Sequence, residues 1–277
     1  MNRSVRVLVL LLVALGVLGA TGCNKLKARD QLNKGVQAFK NNKYEEAINH
    51  FQNSVSLDPS LLNARLYLAT AYAQQYIPGA DTAENNRNAE QAIEEFKKVL
   101  EQNPPAEQKV HSLKGIASLY FNMKKMPEAK EYYRKVTELD SNDPEPYYSI
   151  AVIDWTESYQ PRQEERAKLG LQPLEDLKDK KVCAKLKGEY WDEVQEGKQM
   201  LHKALELRPD YDDAMAYLNL MYREEADLLC DDPAGRAQAK KTADEWVDKT
   251  MATKKAKAEK AGTPGGIVME NEGGTQQ

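Results

Sequence analysis

The sequence predicts an all-α chain: an α-solenoid of about five helix-turn-helix repeats, with an elongated fourth hairpin and a C-terminal capping helix. Three observations carry that expectation. Ala, Lys and Glu are abundant, while Phe and Trp number only 4 and 3 in 277 residues, a balance that favours helices over strands. Apolar and small residues recur in steps of three and four, the spacing of one helix face. One pattern of about 34 residues also returns down the chain, with small residues and a closing proline at matching offsets.

Residues 28–61 set that pattern. They read as two short amphipathic helices joined by a polar turn. Gly35 and Ala47 sit where the helices touch, Phe51 lies one turn past Ala47, and Pro59 ends the second helix. In these positions the unit resembles a tetratricopeptide repeat (TPR), although Gln31, Lys34 and Ala38 replace the Trp, Leu and Tyr usual on that family's first helix.

The second unit, near 62–106, carries Leu68, Ala69 and Tyr72, then Ala92, Phe96, Val99 and Pro104. An insert at about 74–88 separates its helices. Its Tyr76-Ile77-Pro78-Gly79 run is a turn signal, and we expect an ordered surface loop that ends by lengthening the second helix. In the third unit, near 110–143, Ile116, Ala117 and Tyr120 precede Ala129, Tyr133 and Val136. Pro127 suits the first turn of its second helix, and Asp143-Pro144 caps the helix that follows.

The fourth unit, near 144–211, is oversized by about one repeat length, the extra stretch covering about 157–196. Pro161 is expected to break its first helix, residues 162–169 read as helical, and Gly170 with Pro173 makes a turn. From Asp176 to Leu207, the face Cys183, Leu186, Tyr190, Val194, Gly197, Leu201 and Ala204 describes one helix about 48 Å long. The hairpin is therefore expected to project beyond its neighbours. The fifth unit, near 212–250, offers Met215, Leu218, Asn219 and Tyr222. Asp232-Pro233 then opens a capping helix with Ala239, Ala243, Trp246 and Val247 inward. The solenoid spans 28–260, and 261–277 reads as a disordered tail.

Residues 1–22 read as a leader: Arg3 and Arg6 precede an apolar run of about 14 residues, too short to span a bilayer comfortably. The run ends in Ala20-Thr21-Gly22-Cys23, which resembles the bacterial lipobox, with Ala20 where Leu is usual. That resemblance implies cleavage before Cys23 and acylation of its sulfur. Residues 24–27 would form a short tether reaching at most about 14 Å. Asn24 after the cysteine points, by the sorting rule of some bacteria, to the outer membrane facing the periplasm.

Stacked repeats leave their first helices lining a concave side. By the TPR resemblance, groove positions fall on Asn33, Val36 and Phe39, then Leu66, Tyr67 and Thr70, then Lys114, Ser118 and Phe121. Tyr148, Val152 and Trp155 follow, and then Tyr217, Leu220 and Arg223. The partner-binding candidates are Phe39, Tyr67, Lys114, Phe121, Tyr148, Trp155, Tyr217 and Arg223. Aromatic anchors are enriched in binding hot spots, though such rings also pack between repeats. Lys114 lacks the matching Asn residues of a TPR carboxylate clamp.

Net charge is -4 with no basic cluster inside the repeats, which argues against nucleic acid as a partner. The sequence lacks a Walker loop, GxSxG, HExxH and CxxC, so no catalytic residue, cofactor or metal is expected. His50, His111 and His202 fall in different repeats, and Glu45-Glu46 and Glu164-Glu165 read as surface charge. Outside the cytoplasm Cys183 and Cys230 suggest one disulfide; two buried thiols are the alternative. The functional expectation is a non-enzymatic, lipid-anchored adaptor that binds a protein or peptide at the bacterial cell envelope. The alternative is a self-associating structural subunit.

Overall fold

The computed structural model describes residues 23–172 and 175–261, which form ten helices and no strand. The leader, the tail from 262 and Pro173 lie outside the described residues. Contacts divide the chain into two compact units, Met1–Asn142 and Asp143–Gln277.

The first unit holds three successive hairpins: α1 (residues 23–40) with α2 (Tyr44–Leu57), α3 (Leu62–Gln75) with α4 (Ala83–Glu101), and α5 (Ala106–Asn122) with α6 (Met126–Leu139). Its core gathers Phe51, Leu68, Tyr72, Phe96 and Ile116 around alanines 38, 47, 69 and 92. The small positions have a direct physical reason. A Cβ on Gly35 would overlap the Phe51 ring, and one on Gly115 would lie 2.6 Å from the Phe96 ring. The same device thus closes a hairpin in the first repeat and joins α4 to α5 between repeats.

Two turns are also alike. Asn42 and Lys124 both adopt φ 59°, and the following N–H groups of Lys43 and Lys125 donate to the carbonyls of Ala38 and Tyr120. Those bonds satisfy carbonyls that the helix end leaves open. The insert is an ordered loop of residues 76–82, followed by a lengthened α4 of 19 residues. Buried Asn85 organises it: its side chain accepts the Ile77 N–H at 2.7 Å and donates to the carbonyls of Ile77 and Ala80.

Residues 23–27, expected as an extended tether, belong to α1. Ala28 is fully buried and its carbonyl accepts from Ser54 at 2.7 Å, so the helix is docked from its second turn. Four helical residues rise about 6 Å, less than half of the extended reach.

The second unit contains α7 (Pro144–Lys168), α8 (Lys180–Leu207), α9 (Asp212–Leu228) and α10 (Pro233–Ala261). Asp143 caps α7 by accepting from the Glu145 N–H, and Pro127 occupies the first turn of α6. Pro161 does not break α7, which runs 25 residues through it. A proline there forfeits one backbone hydrogen bond. The two turns beyond it are held instead by buried Arg162 and Arg166, which pair with carboxylates on α9. Gly170 ends the segment at φ 66°, a left-handed conformation open to glycine.

The long helix of the hairpin starts at Lys180 rather than Asp176, because Asp179 accepts from the Val182 N–H and caps it there. Its 28 residues span about 42 Å. Cys183, Leu186, Val194, Gly197, Leu201 and Ala204 are buried, and Tyr190 is half-buried at the rim. A Cβ on Gly197 would overlap Met221 of α9. The hairpin tip is not free of its neighbours. Cys183 and Cys230 are joined as a disulfide with Cα atoms 5.6 Å apart, and Lys180 pairs with Asp231 at 2.8 Å.

On α10, Ala239, Ala243, Trp246 and Thr250 form the inward stripe. Val247, expected inward, is 37% exposed, since it falls one residue past that stripe. The lysines near the end are engaged: Lys257 donates to Asp212 at 2.6 Å across the antiparallel α9.

Candidate functional site

The predicted groove residues belong to two separate groups, one in each unit. In the first unit, Tyr67 stacks on Phe51 (5.5 Å between centroids) and meets the edge of Phe39 at 6.4 Å. One face of Tyr67 is thus spent on packing, while 38% of the residue stays exposed. Phe39 also contacts Tyr44 at 5.3 Å. Lys114 and Phe121 lie half-buried on α5.

In the second unit the sequence spacing produces a continuous ladder. Tyr148, Trp155 and Tyr159 stand at i, i+7 and i+11 on α7, which keeps them on one helix face. Tyr211 and Tyr217 come from the start of α9. Ring centroids follow one another from Tyr211 to Tyr148 (5.0 Å), Tyr148 to Tyr217 (5.5 Å), Tyr217 to Trp155 (5.4 Å) and Trp155 to Tyr159 (4.5 Å). All five are half-buried. Burial pushes the Tyr148 and Tyr217 hydroxyls above their ordinary range, so both stay neutral donors. Val152, expected in the groove, is instead 8% exposed and packs inward.

The ladder continues into charge. Arg162 sits over the Tyr159 ring at 5.6 Å, and Arg166 follows one turn later. Arg162 Nε lies 2.7 Å from Glu224, while Asp227 Oδ2 accepts from Arg162 at 2.8 Å and Arg166 at 2.7 Å. Arg166 also donates to the carbonyls of Gln172 and Glu175, which fastens the loop between α7 and α8. Sequence reading missed this cluster. Its signal was present as Arg162 and Arg166 extending the 148–155–159 stripe, opposite Glu224 and Asp227 one turn apart on α9. Arg223 joins it from the rim, held by Asn219 and by Asp244 of α10, each at 2.8 Å. Beside the cluster lies a cavity of about 320 Å³ lined by Arg162, Arg166, Glu175, Arg223, Asp227, Lys240 and Asp244.

Burial pushes the Glu224 carboxyl up to about 7, with Arg162 pulling the other way. A carboxyl raised on folding stabilises the protein below its unfolded value and loses that contribution as pH climbs through the folded one. Wild type should therefore weaken by about 2–3 kcal/mol between roughly pH 4.5 and 7, a component that Glu224→Gln removes. Urea midpoints of both proteins at pH 5 and 7.5 test this, and parallel pH dependence would refute it.

Other titratable groups stay dispersed. His50 bonds Gln31, His111 lies against Phe96, and His202 lies against Tyr222 and Trp246. Among the described residues no three His, Cys, Asp or Glu side chains are grouped to hold a metal ion, and no helix is long and apolar enough to cross a membrane. Cys23 is exposed at the first described position.

The fold is an all-α solenoid of the TPR type. Residues 115–143 match the family model for the tetratricopeptide repeat, covering α6 and part of α5. Among solved structures, the MamA protein is 14% identical over 84% of this chain and 94% of its own, with a TM-score of 0.55. MamA 41-end from Desulfovibrio magneticus RS-1 is 15% identical over 83% and 96%, with a TM-score of 0.56. YrrB, described as a TPR protein with an unusual peptide-binding site, is 15% identical over 87% and 96%, with a TM-score of 0.51. No curated protein matches by sequence. At these identities the likeness is one of fold.

Proposed function

We propose that the chain is a non-enzymatic adaptor, anchored through an acylated Cys23 at the bacterial cell envelope, that binds a protein or peptide partner. The anchor and its outer-membrane, periplasm-facing placement rest on the leader and the Ala20-Thr21-Gly22-Cys23 run. With residues 23–27 helical and Ala28 buried, the first unit would be the membrane-proximal end.

One observation carries the binding role: the ladder of five half-buried rings along α7 and α9, which presents apolar faces and neutral hydroxyls together. An aromatic trough of this kind suits an extended peptide, which offers side chains to the rings and carbonyls to the hydroxyls. The peptide-binding site in the description of YrrB, a protein of similar fold, is consistent with that use. Tyr148→Ala or Trp155→Ala is expected to reduce capture of an envelope partner by about tenfold or more, at unchanged helicity by circular dichroism. Affinity capture from detergent-solubilised membranes, comparing wild type with each variant, is the measurement. Equal capture by all three would remove the trough from consideration.

A self-associating subunit is the second reading. Val247 and Met251 stand one turn apart on α10, 37% and 65% exposed, and offer a small apolar contact for another copy. A monomer in sedimentation of the form lacking residues 1–23 would rule against it.

A further inference from the structure

The cavity at the end of the ring ladder is built partly from the inserted part of the fourth repeat. Arg162 and Arg166 come from the extension of α7, and Glu175 from the loop that follows. Arg223 and Lys240 close it from α9 and α10. Four cations and three carboxylates line it, and Glu224 and Asp176 add two more acids as partners of Arg162 and Lys240. The cations are held with unequal firmness. Asp227 is buried between Arg162 and Arg166 and is committed to both. Arg223 and Lys240 lean on Asp244 and Asp176, acids whose side chains are 69% and 36% exposed. Ion pairs that open to water exchange partners at little cost. Of the four cations, Arg223 and Lys240 are thus the two whose acid partners face water.

Register along the helices sets where this mouth lies relative to the rings. Trp155 to Arg162 is seven positions on α7, and Tyr217 to Arg223 is six on α9. These spans rise about 10.5 Å and about 9 Å along their helices. The two helices run parallel, since Tyr148 and Trp155 meet Tyr217 while Arg162 and Arg166 meet Glu224 and Asp227. An extended β segment places side chains on one side every two residues, about 7 Å apart, which is too short. A polyproline II segment repeats every three residues, about 9.3 Å apart, and aromatic grooves favour it.

We propose that the cavity receives an acidic side chain of the bound peptide, held by Arg223 and Lys240. This residue lies three positions along a polyproline II segment from an apolar side chain resting on Trp155 and Tyr217. The proposal rests on the peptide-binding reading above and names that ligand's chemistry. Asp244 and Asp176 act as placeholders that release the two cations when the ligand carboxylate arrives.

The probe is a fluorescein-labelled peptide in which leucine and glutamate flank two prolines, read by anisotropy against the full chain after removal of residues 1–22. The expected result is about tenfold tighter binding than a twin with glutamine in place of glutamate. High salt should narrow that gap. Arg223→Gln and Lys240→Gln should each erase it without moving the thermal midpoint. Equal binding of the two peptides, or an unchanged preference in both variants, overturns the proposal. A positional peptide array separates the layers of the argument. Sequences that are retained, lost in Trp155→Ala and indifferent to acid leave the ring trough standing and remove the acidic pocket. An array on which wild type retains nothing removes both.

Discussion

Asp227→Ala should lower the melting temperature of the second unit by on the order of 10 °C, corresponding to about 3–5 kcal/mol. The reason is the company Asp227 keeps. It is 3% exposed, and one of its oxygens accepts from both Arg162 and Arg166. Removing it leaves two guanidinium groups buried side by side without the carboxylate they share. An uncompensated buried charge costs far more than the intact pair stabilises. The loop carbonyls of Gln172 and Glu175 would loosen with Arg166. Replacing Arg166 by Met and Asp227 by Leu together should recover much of the loss, because the charge and its partner leave at once. All three tryptophans, Trp155, Trp191 and Trp246, lie in the second unit, so their fluorescence reports its unfolding. A melting curve unchanged in Asp227→Ala would mean that the cluster has little energetic weight.

Opening the Cys183–Cys230 bond ranks second. The chain-entropy relation for a loop of 47 residues gives about 4 kcal/mol of lost stability, and the exchange Cys183→Ser with Cys230→Ser should match it. The bond ties the start of α8 to the segment just after α9, where Lys180 and Asp231 pair only at the surface. Urea unfolding followed by tryptophan fluorescence, with and without a dithiol reductant, should show a clear drop in midpoint. Far-ultraviolet dichroism should show the first unit unfolding as before. Identical midpoints under both conditions would dismiss the bond as a stabilising element.

The repeat architecture was legible because it rests on sterics at single positions. Gly35, Ala47 and Ala129 touch facing helices, and a larger side chain has no room there. The departures share another cause. Pro161 carries a strong local signal for a break, yet distant carboxylates hold the turns after it, and no window of local sequence contains them. Val247 was placed inward by apolarity alone, whereas the register of α10 follows Ala239, Ala243, Trp246 and Thr250. The same holds for the site. Tyr148, Trp155 and Tyr217 could be placed from repeat offsets. Tyr159, Arg162 and Arg166 belong to the extension that regular repeats lack, so no offset points to them. Only the longer stripe on α7 does.

The unbroken start of α1 has a mechanical consequence. If an acylated sulfur sits at residue 23, there is no swivel between fatty chains and folded body, because Ala28 is already locked to Ser54. The first unit would then inherit its tilt from the bilayer, like a mast stepped directly on a hull, and force drawn on its far repeats would reach the lipid without slack.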